Sequence, residues 1–248
     1  MAADIFFDLD RTLWDFERNS REALTQIFDA HAAQPLREEW GVANPEIQEF
    51  IVFYEEENAK CWHDYTHGRL TKEALRPLRF ARALGRLGVP DGALRQEVAD
   101  RLGTAYVELS PHLPHLLPGA IETVSELAVR GHRLFILTNG FEEVQHIKME
   151  KSGLSPYFQA VYTSDALGHK KPNREAFELA LEAAGARVED SVMIGDDLQA
   201  DVVGAREVGM RSVHFNPNAR RHGEQVWRTV TELPKILHLP LHKTGAAG

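Results

Sequence analysis

The order of hydrophobic and polar positions divides this sequence into two kinds of segment. Residues 4–9 hold the apolar run Ile5–Phe7 and predict a short strand that is buried on both faces. From about residue 16 to residue 110, apolar residues recur at helical spacing, as they do in the segment REALTQIFDAH. This block predicts roughly four helices directly after the first strand.

Helices and strands alternate after the proline-rich segment SPHLPHLLPG, residues 110–119. Helices predicted at 120–129, 141–152, 174–184 and 200–208 lead in turn to the strands RLFILTNG, AVYTSD, SVMIGDD and RSVHF. This alternation is typical of a parallel sheet with right-handed crossovers. Together with the first strand, it predicts an α/β protein, a Rossmann-like parallel sheet core with a helical domain inserted after the first strand.

The expected domain boundaries lie where the pattern changes. The sheet core comprises residues 1–15 and 114–235, and the helical insert comprises residues 16–113. The remaining residues, 236–248, end in HKTGAAG and are expected to form a frayed C-terminal tail.

Composition excludes several classes of protein. The net charge of −9 argues against nucleic acid or an anionic membrane surface as the main partner, because both attract a basic face. Cys61 is the only cysteine, so an intramolecular disulfide is impossible. The sequence has no signal-like segment and no apolar run of about 18 residues. We therefore expect a cytoplasmic protein.

Polar side chains capable of chemistry follow the predicted strands. Asp8 and Asp10 come at the end of the first strand, residues 138–140 (Thr-Asn-Gly) end the second, and Asp196 ends the fourth. Lys171 follows the third strand after a short connection. Ligands of open parallel sheets lie beyond the carboxyl ends of the strands, so these groups are expected to share one site.

Three carboxylates in this arrangement predict a metal site. Asp8 and Asp10 are two residues apart and leave an extended segment on the same side, where Asp196 joins them from a neighbouring strand. Two carboxylates about 4 Å apart repel by about 4 kcal/mol at an effective dielectric constant of 20. A hard divalent cation removes this repulsion, and an all-oxygen site of few protein ligands favours Mg²⁺.

The other strand-end residues predict a phosphate pocket. Lys171 and the polar groups of Thr138 and Asn139 supply its positive side, and Gly140 permits a close approach of the backbone. An aspartate beside a metal and a lysine can attack phosphorus. A second carboxylate can protonate the leaving oxygen and then deprotonate the attacking water.

The complete set of motifs resembles a known superfamily, that of the haloacid dehalogenase-like (HAD) hydrolases. The segments that carry the resemblance are Asp8-x-Asp10-x-Thr12, Thr138-Asn139, Lys171-Pro172 and Gly195-Asp196-x4-Asp201. Within it, CWHDYTHGRLT, LTNGFEEVQHIKMEKSGL and GHKKPNREAFELALEAAG resemble the pyrimidine 5'-nucleotidase subfamily. The resemblance extends from residue 4 to about residue 235.

The resemblance implies a role for each carboxylate. Asp8 would be the nucleophile and a Mg²⁺ ligand, and Asp10 would be the general acid and base and bind the metal through its backbone carbonyl. Asp196 would complete the metal site, with Asp197 and Asp201 as supports.

The remaining roles concern the substrate. Thr138 and Asn139, next to Gly140, would hold the phosphoryl oxygens, and Lys171 would neutralise them while it orients Asp8. The helical insert would be a mobile cap. Trp14, just after the catalytic loop, is our candidate for contacting the substrate between cap and core.

The function implied is a Mg²⁺-dependent phosphohydrolase with an aspartyl-phosphate intermediate, most similar to 5'-nucleotidases of pyrimidine nucleoside monophosphates. Its expected partner is this small substrate, and the chain is expected to be a monomer or a homodimer. Alternatives are a phosphatase of phosphoglycolate or a sugar phosphate, a phosphomutase, or a regulatory module without turnover. The presence of both Asp8 and Asp10 argues against the last of these.

Overall fold

The chain separates into two compact units. The structure, a computed structural model, describes residues 2–41 and 46–242. The first unit is formed by Met1–Phe16 and Pro114–Gly248, and the second by Glu17–Leu113. Each unit has its own hydrophobic cluster and is described by itself below.

The first unit contains a parallel sheet. Its strands are β1 (Asp4–Phe7), β2 (Arg133–Thr138), β3 (Ala160–Thr163), β4 (Ser191–Gly195), β5 (Arg211–Phe215) and β6 (Arg228–Val230). They lie in the order β3-β2-β1-β4-β5-β6, and every neighbouring pair is parallel. The predicted α/β class and parallel sheet are thus confirmed. Strand β6 was missed, because three residues are too few to show a period.

The helices fall into two groups along the chain. The insert contains α1 (Phe16–His31), α2 (Ala33–Glu38), α3 (Ile47–Thr66), α4 (Lys72–Arg86) and α5 (Ala93–Leu109). The sheet unit contains α6 (Ala120–Val129), α7 (Glu142–Lys151), α8 (Ser164–Leu167), α9 (Arg174–Ala184) and α10 (Gly204–Glu207). Over the part of the chain that the structure describes, none of these helices is both long and apolar enough to cross a membrane.

The helix predicted at 200–208 has a different form. A π-helical segment, Leu198–Val203, precedes the short helix α10. It begins two residues early because Asp197 caps it, with Oδ1 accepting hydrogen bonds from the N–H groups of Gln199 at 2.9 Å and Ala200 at 2.8 Å.

Strand β1 lies in the middle of the sheet and is buried on both faces. Ile5 and Phe7 belong to one apolar cluster, which also contains Val124 and Leu127 of α6. Phe6, between them, belongs to a second cluster together with residues of α9 and α10. The alternation of side chains along a strand therefore distributes this apolar run to both faces.

The insert has an aromatic core. The rings of Phe28 and Phe50 have centroids 4.9 Å apart, and those of Tyr54 and Phe80 are 4.8 Å apart. All four side chains are almost completely buried. Helices α1, α3 and α4 thus pack through rings, in the distance range at which aromatic pairs stabilise beyond their area.

The two chain segments that join the units pair with each other inside the sheet unit. The Leu117 N–H donates to the Leu13 carbonyl at 2.9 Å, and the Asp15 N–H donates to the His115 carbonyl at 3.1 Å. Trp14 lies between these bonds and forms an antiparallel bridge with Leu116. We call residues 13–15 and 115–117 the connecting ladder.

The predicted start of the C-terminal tail was wrong. Leu233, Ile236 and Leu241 are buried in the same cluster as Leu127, and residues Leu233–His238 form a 3₁₀ helix. Because apolar side chains three residues apart face the core together, the packed region continues past residue 235. Residues 243–248 of the expected tail lie outside the described residues.

The burial of Phe50 predicts a clear difference within helix α3. Phe50→Ala should lower the free energy of unfolding by about 3–5 kcal/mol, since it leaves a cavity among the aromatic rings. Val52→Ala, at a position 48% exposed in the same helix, should change it by less than about 0.5 kcal/mol. Urea denaturation measures both. Equal effects would mean that the rings do not form a packed core.

Candidate active site

The register of the sheet brings the polar strand ends together. Phe7, the last residue of β1, is paired with Ile136 of β2 and with Ile194 of β4. The Asp8 N–H then donates to the Ile194 carbonyl at 2.9 Å, so Asp8 continues the line of the strand. The residues that follow β1, β2 and β4 therefore lie at one edge of the sheet.

Lys171 forms ion pairs with two carboxylates at this edge of the sheet. Its Nζ lies 2.7 Å from Asp8 Oδ1, 2.6 Å from Asp201 Oδ1 and 2.7 Å from the Leu137 carbonyl oxygen. Lys171 and Asp201 are 2% and 1% exposed. An ammonium group has three protons, so these three acceptors use its full capacity. Burial lowers the pKa of Lys171, but the charges of Asp201 and Asp8 outweigh burial and the pKa is raised.

Asn139 holds the backbone of Lys171. Its Oδ1 accepts a hydrogen bond from the Lys171 N–H at 2.8 Å, and its Nδ2 donates to the Lys171 carbonyl at 2.8 Å. Both ends of this side chain therefore contact Lys171, and the amide fixes the lysine that faces Asp8. The predicted contact of Asn139 with phosphoryl oxygens stays a prediction.

The Thr138 hydroxyl can still donate a hydrogen bond to a phosphoryl oxygen. It is 2% exposed at the end of β2, and its Oγ1 accepts a hydrogen bond from the Gly140 N–H at 3.1 Å. A hydroxyl has one further proton to donate, which can point to an anionic oxygen. Its role as a substrate ligand stays a prediction.

Thr12 fixes Asp196. Its Oγ1 accepts from the Asp196 N–H at 3.0 Å and donates to Asp196 Oδ1 at 3.2 Å. Thr12 is fully buried, so the two hydrogen bonds are shielded from water. Thr12, the fifth position of the first motif, therefore orients the carboxylate that follows β4.

The carboxylates of Asp8, Asp196 and Asp201 form a compact acidic cluster. Each offers an oxygen, and these oxygens lie within 4.8 Å of one another. Burial raises the pKa of Asp8 to about 7. The charge of Asp201 also raises this pKa, and the charge of Lys171 lowers it. Burial, followed by the charge of Asp8, raises the pKa of Asp196 to about 8. One lysine thus does not balance the three carboxylates of the cluster.

This excess of negative charge and the all-oxygen donor set fit a divalent cation. The oxygens of Asp201 accept hydrogen bonds from Lys171 and from the Asp197 N–H. Asp8 and Asp196 are therefore the side chains that would hold the ion. The predicted contribution of Asp10 through its backbone carbonyl stays a prediction, and its side chain lies outside the cluster.

Asp10 has partners that sequence reasoning missed. Lys148 Nζ lies 2.6 Å from Asp10 Oδ1 and 2.9 Å from Oδ2, and Gln145 Nε2 donates to Oδ2 at 3.3 Å. Both partners are buried on α7, three residues apart and hence on one helical face. The available signal was this spacing directly after the Thr-Asn-Gly segment.

Two glycines make room for these side chains. A Cβ at Gly140 would lie 1.8 Å from Gln145 Nε2, and a Cβ at Gly195 would lie 2.0 Å from Asp201 Oδ2. Gly140 was predicted to admit the backbone to a ligand. That role stays a prediction, and the structure adds a second one, because Gly140 provides the space through which Gln145 reaches Asp10.

The predicted substrate contact of Trp14 was wrong. Its side chain is fully buried and belongs to the apolar cluster of the sheet unit that contains Leu9 and Leu13. The Lys148 Nζ lies 4.2 Å from the centroid of its ring, within the range of a cation–π interaction. Trp14 thus packs against the partner of Asp10.

Arg11 places a positive charge near the carboxylates. Its backbone has φ 65°, the left-handed region, and its guanidinium lies 4.1 Å from the centroid of the Phe16 ring. The charge of Arg11 opposes the rise in the pKa of Asp196. Arg11 therefore belongs to the electrostatic surroundings of the acidic cluster.

Comparison with known proteins assigns this arrangement to a family. A model of the haloacid dehalogenase-like hydrolases matches residues 5–209. The chain belongs to this family. It is an enzyme, a phosphatase of the HAD family, as the four motifs predicted.

Individual relatives cover almost the whole of this HAD hydrolase. It is 31% identical to the pyrimidine 5'-nucleotidase YjjG of Escherichia coli, over 92% of each chain. It is 33% identical to the ribulose-1,5-bisphosphate 5-phosphatase of Halopiger xanaduensis, over 94% of this chain and 92% of the relative. The solved structure of the HAD-hydrolase YfnB from Bacillus subtilis matches with a TM-score of 0.81 at 24% identity, over 96% of this chain and 98% of that one, and shares the fold.

The raised pKa values predict how pH changes the stability of the metal-free HAD hydrolase. In the unfolded chain the carboxyl groups of Asp8 and Asp196 lose their protons at their ordinary pKa of 3.8. In the folded state the same groups keep their protons to a higher pH. The contribution of these groups to the free energy of unfolding therefore falls as pH rises from 3.8 through about 7 and about 8. Mg²⁺ should raise the melting temperature more at pH 8 than at about pH 5.5.

Thermal melts with and without Mg²⁺ at both pH values measure this difference. In Asp196→Asn, which removes one charge from the cluster at nearly constant size, the Mg²⁺-dependent rise at pH 8 should shrink. An equal rise at both pH values in the wild-type protein would contradict the prediction.

Proposed function

We propose that this HAD phosphatase is a Mg²⁺-dependent hydrolase of nucleoside 5'-monophosphates that works through an aspartyl-phosphate on Asp8. The observation that carries the proposal is the position of Lys171 between Asp8 and Asp201, beside the carboxylate of Asp196. This arrangement joins a fixed nucleophile to a cation site, which is the combination that phosphoryl transfer needs.

Lys171 prepares Asp8 for attack. Because its ammonium group binds Oδ1, that oxygen is fixed, and Oδ2 is the oxygen that would attack the phosphorus. As the new Oδ2–P bond forms, the ester P–O bond breaks and the leaving oxygen takes a proton from Asp10, which enters this step as the carboxylic acid. Water then attacks the phosphorus and gives a proton back to Asp10 while the Oδ2–P bond to Asp8 breaks. Inorganic phosphate leaves, and both carboxyl groups regain their starting states.

A bound Mg²⁺ ion would supply positive charge that stabilises the phosphoryl oxygens in the transition state. Asp8 and Asp196 would hold it with their carboxylates, and Asp10 with its backbone carbonyl. Thr12 keeps Asp196 in place for this purpose. The excess negative charge of the acidic cluster is the physical reason for metal binding at this position.

The phosphoryl group would be bound by the loop after β2. The Thr138 hydroxyl has a proton to donate, and helix α7 begins at Glu142, directly after this loop. The N–H groups at a helix N-terminus favour an anion. In this proposal Asn139 acts indirectly, through the backbone of Lys171.

The substrate class rests on the relatives. YjjG of E. coli is named a pyrimidine 5'-nucleotidase, and at 31% identity over 92% of each chain it supports a pyrimidine nucleoside monophosphate. The relative from H. xanaduensis, named a ribulose-1,5-bisphosphate 5-phosphatase, favours a sugar phosphate at 33% identity. A sugar phosphate is therefore the second candidate. The insert, proposed as a mobile cap, would decide between them.

Loss of the nucleophile should abolish turnover. Asp8→Asn should lower the rate of Mg²⁺-dependent phosphate release from an aryl phosphate by about 10³-fold or more, because an amide does not attack phosphorus. Asp29→Asn, an exposed position in α1, is the matched control and should retain wild-type activity. Chelation of Mg²⁺ should stop the wild-type enzyme. Turnover that persists in Asp8→Asn would refute the assignment of the nucleophile.

A substrate panel tests the nucleotide assignment. We expect kcat/KM for uridine or thymidine 5'-monophosphate to exceed that for ribulose-1,5-bisphosphate and glyceraldehyde 3-phosphate by about tenfold or more. Steady-state phosphate release measures each value at saturating Mg²⁺. A preference for either sugar phosphate would replace the nucleotidase proposal with the second candidate and leave the aspartyl-phosphate chemistry intact.

A further inference from the structure

Asp10 is held at both carboxylate oxygens by one face of helix α7. Lys148 Nζ contacts Oδ1 at 2.6 Å and Oδ2 at 2.9 Å, and Gln145 Nε2 contacts Oδ2 at 3.3 Å. Lys148 is 4% exposed and Gln145 is 1% exposed. Charge-assisted hydrogen bonds from buried donors restrict a carboxylate more than a surface ion pair does.

The surroundings of Lys148 favour one position of its ammonium group. The Trp14 ring lies 4.2 Å from Nζ on one side, and Asp10 receives its hydrogen bonds on another. Lys151, one turn later on the same helix, pairs with Glu150 and is 42% exposed in its side chain. The two lysines of α7 thus have the same chemistry in very different settings.

Gln145 is also held in contact with Asp10. Its Nε2 reaches the carboxylate only because residue 140 is glycine, whose missing Cβ would lie 1.8 Å from this atom. Its Oε1 is buried and has no hydrogen-bond partner among the described residues. An unpaired buried acceptor destabilises a protein, so stability alone does not account for a glutamine at this place.

We propose that Lys148 and Gln145 are positioning residues that fix the carboxyl group of Asp10 for its two proton transfers. The inference rests on the proposed function, in which Asp10 serves the leaving alcohol and then the attacking water. Lys148 and Gln145 act through Asp10 and bind neither substrate nor metal. Trp14 confines the ammonium group of Lys148 and is part of the same arrangement.

A loss of position at Asp10 has a chemical signature that a general loss of structure does not have. The alcohol of an alkyl phosphate is a poor leaving group and needs a proton as the P–O bond breaks, whereas an aryl alcohol with a low pKa leaves without one. The first step with an aryl phosphate therefore tolerates a misplaced Asp10. The second step, attack by water, depends on Asp10 with either substrate.

The test compares Lys148→Met with Lys151→Met in the full chain with Mg²⁺. In Lys148→Met, kcat/KM for an alkyl phosphate should fall about 100-fold, and kcat/KM for p-nitrophenyl phosphate should stay within about threefold of wild type. Rapid mixing with p-nitrophenyl phosphate should show a burst of nitrophenol, approaching one equivalent per active site, followed by slow turnover. Lys151→Met should match the wild-type enzyme in all three measurements.

Further variants keep the result interpretable if Lys148→Met folds poorly. Lys148→Arg retains the charge and the donors, and it should restore at least part of the alkyl phosphate activity. Gln145→Met should show the same selective loss as Lys148→Met, though smaller. Melting temperatures and circular dichroism report whether each variant is folded.

The outcomes distinguish a failure of the positioning role from a failure of the proposed function. Equal losses on both substrates, no loss at all, or faster turnover in a folded Lys148→Met variant would overturn the positioning role. If the wild-type enzyme hydrolyses neither phosphate with Mg²⁺, or if Asp8→Asn remains active, the proposed function itself fails. The selective loss together with a burst supports both.

Discussion

The buried ammonium group of Lys171 is the interaction on which the site depends. It is the cation that contacts both Asp8 and Asp201, and a third hydrogen bond to the Leu137 carbonyl fixes it to the end of β2. Removing one partner of a buried ion pair leaves an uncompensated charge, which is strongly destabilising. The two hydrogen bonds of Asn139 with the Lys171 backbone therefore matter for stability, because they hold the ammonium group close to both carboxylates.

The two aspartates of the first motif form ion pairs with different lysines. Asp8 pairs with Lys171, which lies after β3, and Asp10 pairs with Lys148 of α7. Two carboxylates that are neighbours in sequence thus have independent partners and different surroundings. Residues of one type acquire different chemical roles through such differences in environment. The site is therefore better described as one acidic cluster that contains Lys171, next to a separate pair of Lys148 and Asp10.

Sequence alone predicted what depends on local pattern. The parallel sheet and the meeting of Asp8 with Asp196 followed from strand periodicity and from the geometry of strand ends. It did not predict the burial of Trp14 or the pairing of Lys148 with Asp10, because both depend on contacts between distant segments. The packing of residues 236–241 was missed for the same reason. Side chains with two plausible environments are resolved only by the tertiary structure.

The connecting ladder bears on how such proteins diversify. Hydrogen bonds between residues 13–15 and residues 115–117 hold the two ends of the insert together within the sheet unit itself. Closing the chain at this point does not depend on what lies between those ends. A helical insert of another length or shape could therefore be exchanged during evolution without rebuilding the strand ends. New substrate preferences would then arise by replacement of a module, while the acidic cluster and its lysines stay unchanged.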